Sequence, residues 1–346
     1  MRISKKIILE GRIVTFLIGV TTLNLEADSV AAEIKTLKSS PSYPDVTPKQ
    51  RIIREEKRNV AGKEVLFTVR AYLPDVVIAE ASCEMEDLLA DFILDFKAEL
   101  IGECRKILAE YQCRTDFDED YIVYCVSNYS GDPEVFLSLH GEKIAALLKN
   151  ERISLDEDEI RSTLYTGHKY AKDDMTLVDW DGAFVFEPQG DFDSNIELFE
   201  IANLQLLKLR ILDNHLDERL EKSVELLKKR EQKLFFRSRE VRITIKEIVQ
   251  IRTQTILESE AIEHNIKLIG DWYSARLYNL LSKKFHLDDW RKNVNEKIDT
   301  LKDVYTIASE NFTISIGTTL EFIIIGGWFL LLIGYLALFY MEMAAK

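Results

Sequence analysis

The side chains best suited to chemistry collect in one short stretch: His168, Asp173, Asp174, Asp179 and Asp181. An imidazole among hard carboxylates could hold Mg2+ or Mn2+, and a metal-dependent enzyme would start from Asp173, Asp174 and Asp181 as ligands. The spacings of five, one, five and two match no motif with a known mechanism. A solvated acidic loop ahead of a strand is therefore the plainer expectation, and no metal or cofactor is predicted. His140, His215, His264 and His286 stand apart in sequence. Neither G-x-x-x-x-G-K-[ST] nor G-x-G-x-x-G occurs, and the nucleophile elbow G-x-S-x-G is missing as well. The expectation is a non-enzymatic protein with no small-molecule substrate.

Charge marks a second place. From Lys222 to Arg252 ten basic residues face four acidic ones, in a chain whose net charge is −14. Lys228, Lys229, Arg230, Lys233, Arg237, Arg239 and Arg242 are the residues most able to meet a polyanion, either RNA on a ribosome or anionic lipid headgroups. A solvated helix face, or a partner for an acidic domain elsewhere in the chain, explains the same residues. Cys83, Cys104, Cys113 and Cys125 form no C-x-x-C pair, so buried free thiols in a reducing compartment are expected.

The elements that must carry these residues fall into blocks. Residues 1–190 mix strand and helix signals and predict an α+β or α/β domain. Arg12 to Val20 and Lys63 to Tyr72 alternate as strands, and Tyr121 to Val126 reads as a buried one. Leu177 to Phe186 closes the domain, interrupted by Asp179, Asp181 and Gly182. Helical spacing runs from Leu25, from Cys83 to Tyr111, and within Asp132 to Leu148, while Ser39 to Pro48 reads as a loop.

Composition changes after Gly190: no Gly or Pro occurs before Gly270, which predicts long helix over 191–286 with at least one break. A ladder of seven-residue steps from Leu220 to Ile269 raises a coiled coil, but its partner column is polar, so a helical hairpin or bundle is expected. After a turn at Lys283-Lys284, Asp288 reads as an N-cap. The stripe Val294, Ile298, Leu301, Tyr305, Phe312 then predicts a stalk helix over 287–317, packed as a hairpin on the preceding helix.

That stripe points into the most apolar stretch. Phe322 to Met341 is twenty residues without a charge, roughly 30 Å as helix, which matches a bilayer's hydrocarbon core. The reading is one transmembrane helix over 318–342, with a tail at 343–346. Phe322, Ile323, Ile324, Ile325, Gly326, Gly327, Trp328, Gly334 and Tyr340 are the anchor residues. Gly327 and Gly334 share a face that could bring copies together, so a homo-oligomer is expected. MRISKK before Ile13 to Leu25 is better read as leading into a strand than as a secretory signal. The large N-terminal part is accordingly expected on the cytoplasmic side of a single-pass membrane protein.

The segment from Leu277 to Phe312, LYNLLSKKFHLDDWRKNVNEKIDTLKDVYTIASENF, followed by TTLEFIII from Thr318, resembles domain-of-unknown-function family 155. That family includes the mitochondrial "required for meiotic nuclear division" proteins, and the chain reads as a distant prokaryotic member. The resemblance implies a membrane-bound assembly protein linked to translation and supplies no catalytic motif. The resulting expectation is a membrane-anchored scaffold or tether. An ion-channel-like assembly is disfavoured, since the magnesium-channel architecture needs two spans joined by Gly-Met-Asn and this chain offers one span and no such tripeptide.

Overall fold

In the computed structural model of the chain, the structure describes residues 9–23, 25, 50–73, 75–165, 167–231, 246, 249–250, 253 and 272–344. The helix expected from Leu25 and the loop at Ser39 to Pro48 lie outside these apart from Leu25 itself, which sits in a turn. So does most of the seven-residue ladder beyond Leu227.

Strand β1 (Gly11–Thr21) reads RIVTFLIGV because it is covered on both faces, and nearly every residue in it is buried. It forms the middle of a seven-stranded mixed sheet together with β2 (Gln50–Val60), β3 (Lys63–Tyr72), β4 (Val76–Met85), β5 (Cys113–Val126), β6 (Met175–Val178) and β7 (Gly182–Phe186), in the order β2-β3-β4-β1-β5-β7-β6. Pairings are antiparallel except β5 with β7, which run parallel from Ile122 opposite Gly182. Two glycines permit this packing. A Cβ on Gly11 would lie 2.1 Å from the Cys125 carbonyl oxygen, and one on Gly182 would lie 2.9 Å from that of Ile122.

One face of the sheet is apolar. Helix α1 (Ile93–Glu110) buries Ile93, Phe96, Leu100, Cys104 and Ile107 at spacings of three and four, the stripe a core-facing helix requires. It shares that core with Val65, Phe67 and Ala79 of the strands and with Ile144 and Leu148 of α2 (Glu134–Leu148). A short helix α3 (Glu157–Tyr165) follows. Tyr124 and Phe184 stack at 4.4 Å beneath them.

The opposite face is mixed. Phe16 packs on Tyr121, which meets Phe199 of α4 (Asp193–Glu231), while Phe285 closes on Tyr121 at 5.7 Å just after α5 (Trp272–Lys284). Around this aromatic patch lie charges: Arg70 of β3 reaches Glu80 and the fully buried Glu200, and Arg210 reaches Glu119. Tyr278 donates to Gln205, and Arg291 reaches the Tyr278 hydroxyl at 3.3 Å.

The chain divides into two compact units, one of Met1–Ile211 with Glu260–Arg291, the other of Leu212–Ser259 with Lys292–Lys346. In the second, Leu212 and Leu216 of α4 are buried, as are Val294 and Leu301 of α6 (Leu287–Ala344). Lys297 bridges Asp213 and Asp217, each at 2.7 Å. Ile298 is half-buried, and the side chains of Tyr305 and Phe312 are outside the described set. Glu321–Leu338 within α6 has mean hydropathy 2.1 and none of it is buried, so one C-terminal helix is long and apolar enough to cross a membrane. Phe322, Ile323, Ile324, Ile325 and Trp328 are all more than half exposed along it, as is Tyr340 just beyond.

Several expectations need correction. Cys83 does not open a helix: β4 continues to Met85 and α1 begins at Ile93. Strands β2 and β4 and helix α3 escaped the pattern reading. Asp288 is not an N-cap but lies in the first turn of α6, which starts at Leu287 after His286 in a left-handed conformation (φ 51°).

Candidate functional site

The acidic stretch resolves into three separate jobs. Asp174 accepts from the backbone N–H groups of Tyr170 and Ala171 at 2.8 and 3.0 Å, which tightens its own loop. The Asp173 carbonyl accepts from the Tyr129 hydroxyl. Asp179 is buried in the β6–β7 turn, where its carboxylate faces Lys149 at 3.4 Å and Lys284 at 3.3 Å and accepts from the Trp180 N–H. Asp181 lies in the same turn. Burial raises its pKa, an effect that Asp120 and Asp179 add to and that Lys97 and Lys149 oppose. Among the described residues no three His, Cys, Asp or Glu side chains are grouped to hold a metal ion.

His168 has another role. Its backbone exchanges two 2.8 Å hydrogen bonds with Thr176, extending the β6 edge, and its ring stacks on Tyr273 with centroids 5.2 Å apart. Burial and the neighbouring Arg276 hold its pKa below the ordinary histidine value, against Asp174. Its Nε2 is buried without a hydrogen-bond partner among the described residues.

Beside this stack opens a cleft of about 360 Å3 at the β6 edge of the sheet. Thr176 and Val185 line it together with the rings of Tyr170, Trp272 and Tyr273. Asn195, near the start of α4, donates to the Thr176 Oγ1 and to the Tyr273 hydroxyl, both at 3.2 Å, and so fixes that ring. Phe186, Asp174 and Glu187 complete the lining. The loop that carries Tyr170 is pinned by Lys169, which pairs with Asp132 at 2.7 Å and Glu134 at 3.2 Å. Pattern reading missed this cleft; its one local signal is the aromatic pair Trp272-Tyr273 opening a helix.

The other expected sites separate clearly. Lys228, Lys229 and Arg230 lie on the backbone of α4 with side chains outside the described set, and Lys233, Arg237, Arg239 and Arg242 lie outside it altogether. Gly326, Gly327 and Gly334 have nothing within 4 Å of where a Cβ would stand. All four cysteines are free and buried.

Residues 10–193 match the family model described as the N-terminal domain of the uncharacterized protein MJ0711. The uncharacterized protein MJ0711 of Methanocaldococcus jannaschii is 28% identical to the chain over 316 residues, covering 91% of this chain and 93% of that one. No solved structure matches. These matches overturn the resemblance to domain-of-unknown-function family 155, and the inferred link to translation falls with it. The residues from Leu277 to Ile325 that carried it are the end of α5 and the first part of α6 leading into its apolar stretch, a pattern that any anchored helix repeats.

Proposed function

The chain belongs to the family of the MJ0711 N-terminal domain, and from its own geometry we propose that it is a non-enzymatic, membrane-anchored tether: a sheet domain attached to a bilayer by a C-terminal helix and exposed to the cytoplasm. The observation that carries this reading is the 18-residue window Glu321–Leu338, with mean hydropathy 2.1 and no burial within the structure. An apolar helix of that length left uncovered calls for lipid or for other copies of itself. The burial of Val294 and Leu301 in the second unit supports a stalk made of α6 packed on α4 as a hairpin. Gly327 and Gly334 offer a face for self-association within the span. The basic run from Lys228 to Arg242 supplies a contact for RNA or anionic lipid.

Membrane fractionation tests the anchor. Full-length protein should resist carbonate extraction, and a chain ending before Leu320 should move to the soluble fraction. Recovery of the full-length protein as soluble would overturn the proposal. Protease added to intact spheroplasts should leave the sheet domain uncut, and digestion there would reverse the orientation. Reversal of Lys228, Lys229, Arg230 and Lys233 to Glu should abolish salt-sensitive binding to RNA or anionic vesicles. Unchanged binding would remove the polyanion contact and leave the anchor standing.

The metal-dependent alternative finds little support in the geometry, because Asp174 is engaged by its own loop while Asp181 sits in a different turn. Mg2+ or Mn2+ binding lost on alanine substitution of Asp173, Asp174 and Asp181 would restore it.

A further inference from the structure

The cleft at the β6 edge combines features that the tether does not use. Trp272 and Tyr170 are each 75% exposed although they are large aromatic rings, and rings left in water around a concavity cost solvation unless something covers them. Tyr170 does not stand as a loose side chain. Tyr170 meets Tyr273 edge to face at 5.6 Å, Tyr273 is backed by the His168 ring, and Asn195 holds the Tyr273 hydroxyl. The ring faces of Tyr170 and Tyr273 are therefore set before anything binds.

The charges lining the cleft choose the ligand. Asp174 and Glu187 line the cleft, and both act electrostatically on the Tyr273 hydroxyl. Arg276 lies close enough to act on His168, so among the described residues two carboxylates stand against one guanidinium. The N-terminus of α4 would by itself favour an anion, but Asp193 in its first turn opposes that partial charge. Aromatic faces carry negative quadrupole density and attract cations within about 6 Å, and quaternary ammonium groups are a recurrent occupant of such boxes. A cleft of about 360 Å3 sits at the small end of ligand pockets, too small for a folded partner.

We propose that this cleft binds a small organic cation, an alkylated ammonium or a guanidinium, between Tyr170, Trp272 and Tyr273 with Asp174 and Glu187 as counter-charges. The site stands whether or not the chain is a membrane tether, so failure of either reading is separable from the other.

Full-length protein in mild detergent is titrated with choline, tetramethylammonium and agmatine, following tryptophan fluorescence and heat. The control is 3,3-dimethylbutan-1-ol, a neutral molecule of choline's shape. At least one cation should bind saturably, about tenfold or more tighter than the neutral alcohol, the ratio expected when one desolvated cation–π contact distinguishes them. Trp272→Ala should abolish binding and the fluorescence response, Trp272→Phe should retain binding, and Glu187→Gln should weaken it about tenfold. Both side chains are at the surface, and unchanged thermal unfolding of each variant would establish that the fold is intact. Equal affinity for choline and the neutral alcohol would overturn the proposal in favour of an apolar pocket. Tighter binding of an organic anion such as AMP would overturn it in sign. Absence of saturable binding by all three cations would remove the site.

Discussion

The carboxylate of Glu200, with no exposed surface, is held by the guanidinium of Arg70, a contact that joins α4 to β3 across 130 residues of chain. Burial pushes the Glu200 carboxyl up while Arg70 pulls it down. Removing one member of such a pair strands the other in low dielectric, a loss of about 3–5 kcal/mol. Arg70→Met should therefore lower stability by that order in urea titration of the full-length protein in detergent. Arg70→Met combined with Glu200→Leu should recover part of it, because the fully buried carboxylate is then gone while the partly buried Glu80 still lacks its partner. A double variant as unstable as the single would place the cost in packing instead.

Glu119 ties stability to pH. Burial pushes its carboxyl up to about 7, more than Arg210 lowers it, with Asp120 and Asp118 adding to the rise. A folded-state value above the unfolded one means the native protein holds the proton more tightly. The contribution of Glu119 is thus fully present below pH about 4.5 and is lost as pH rises through about 7. The slope from this group is at most about 1.4 kcal/mol per pH unit. Glu119→Gln should flatten stability across that window in denaturant titrations at successive pH values, and a slope that survives the substitution would assign it elsewhere.

The thiols should be silent. Burial raises all four, Cys113 and Cys125 to about 12, and none is more than 9% exposed. The thiolate is the reactive form. Native protein at pH 8 should give no fast reaction with a thiol-specific chromogen, and four equivalents should react after unfolding in urea. A fast equivalent in the native state would locate an opening near β1 or α1.

Two glycines should respond in opposite directions. Gly11→Ala drives a methyl into the Cys125 carbonyl 2.1 Å away and should destabilise severely. Gly102 lies inside α1 with nothing within 4 Å of its missing Cβ, so Gly102→Ala should raise stability by about 0.5–1 kcal/mol through helix propensity and a stiffer unfolded chain. Thermal unfolding midpoints moving down and up respectively would bear this out.

Legibility in the sequence followed how strongly each element announces its burial. β1 and β3 were visible because their apolar residues alternate or run together. β2 was not, since it is an edge strand carrying Arg51, Arg54, Glu55, Glu56, Lys57 and Arg58. Charge of this kind blunts an edge against stray pairing and at the same time erases the strand signal. β4 holds Ala79, Glu80, Ala81 and Glu84, residue types that favour helix, and is a strand because β1 and β3 pair with it on both sides. The buried cysteines followed from composition. The cleft could not: Tyr170, Asn195 and Tyr273 are brought together by the β6–β7 hairpin and by α5 returning to the β6 edge, which no local spacing encodes.

The backbone of α6 is helical from Leu287 to Ala344, 58 residues without a proline. Such a rod has no swivel, so its two ends answer to each other as the ends of a lever. If the apolar stretch is anchored in a bilayer as proposed, a bilayer thinner than that stretch would make the helix lean over. Val294 lies 27 positions before Glu321, an arm of roughly 40 Å, and a lean of about 10° would sweep its end through roughly 7 Å. Under the proposed anchoring, membrane thickness would become a length that the Val294 end of the helix gauges, with Lys297 and its two aspartates as the point where that displacement is felt.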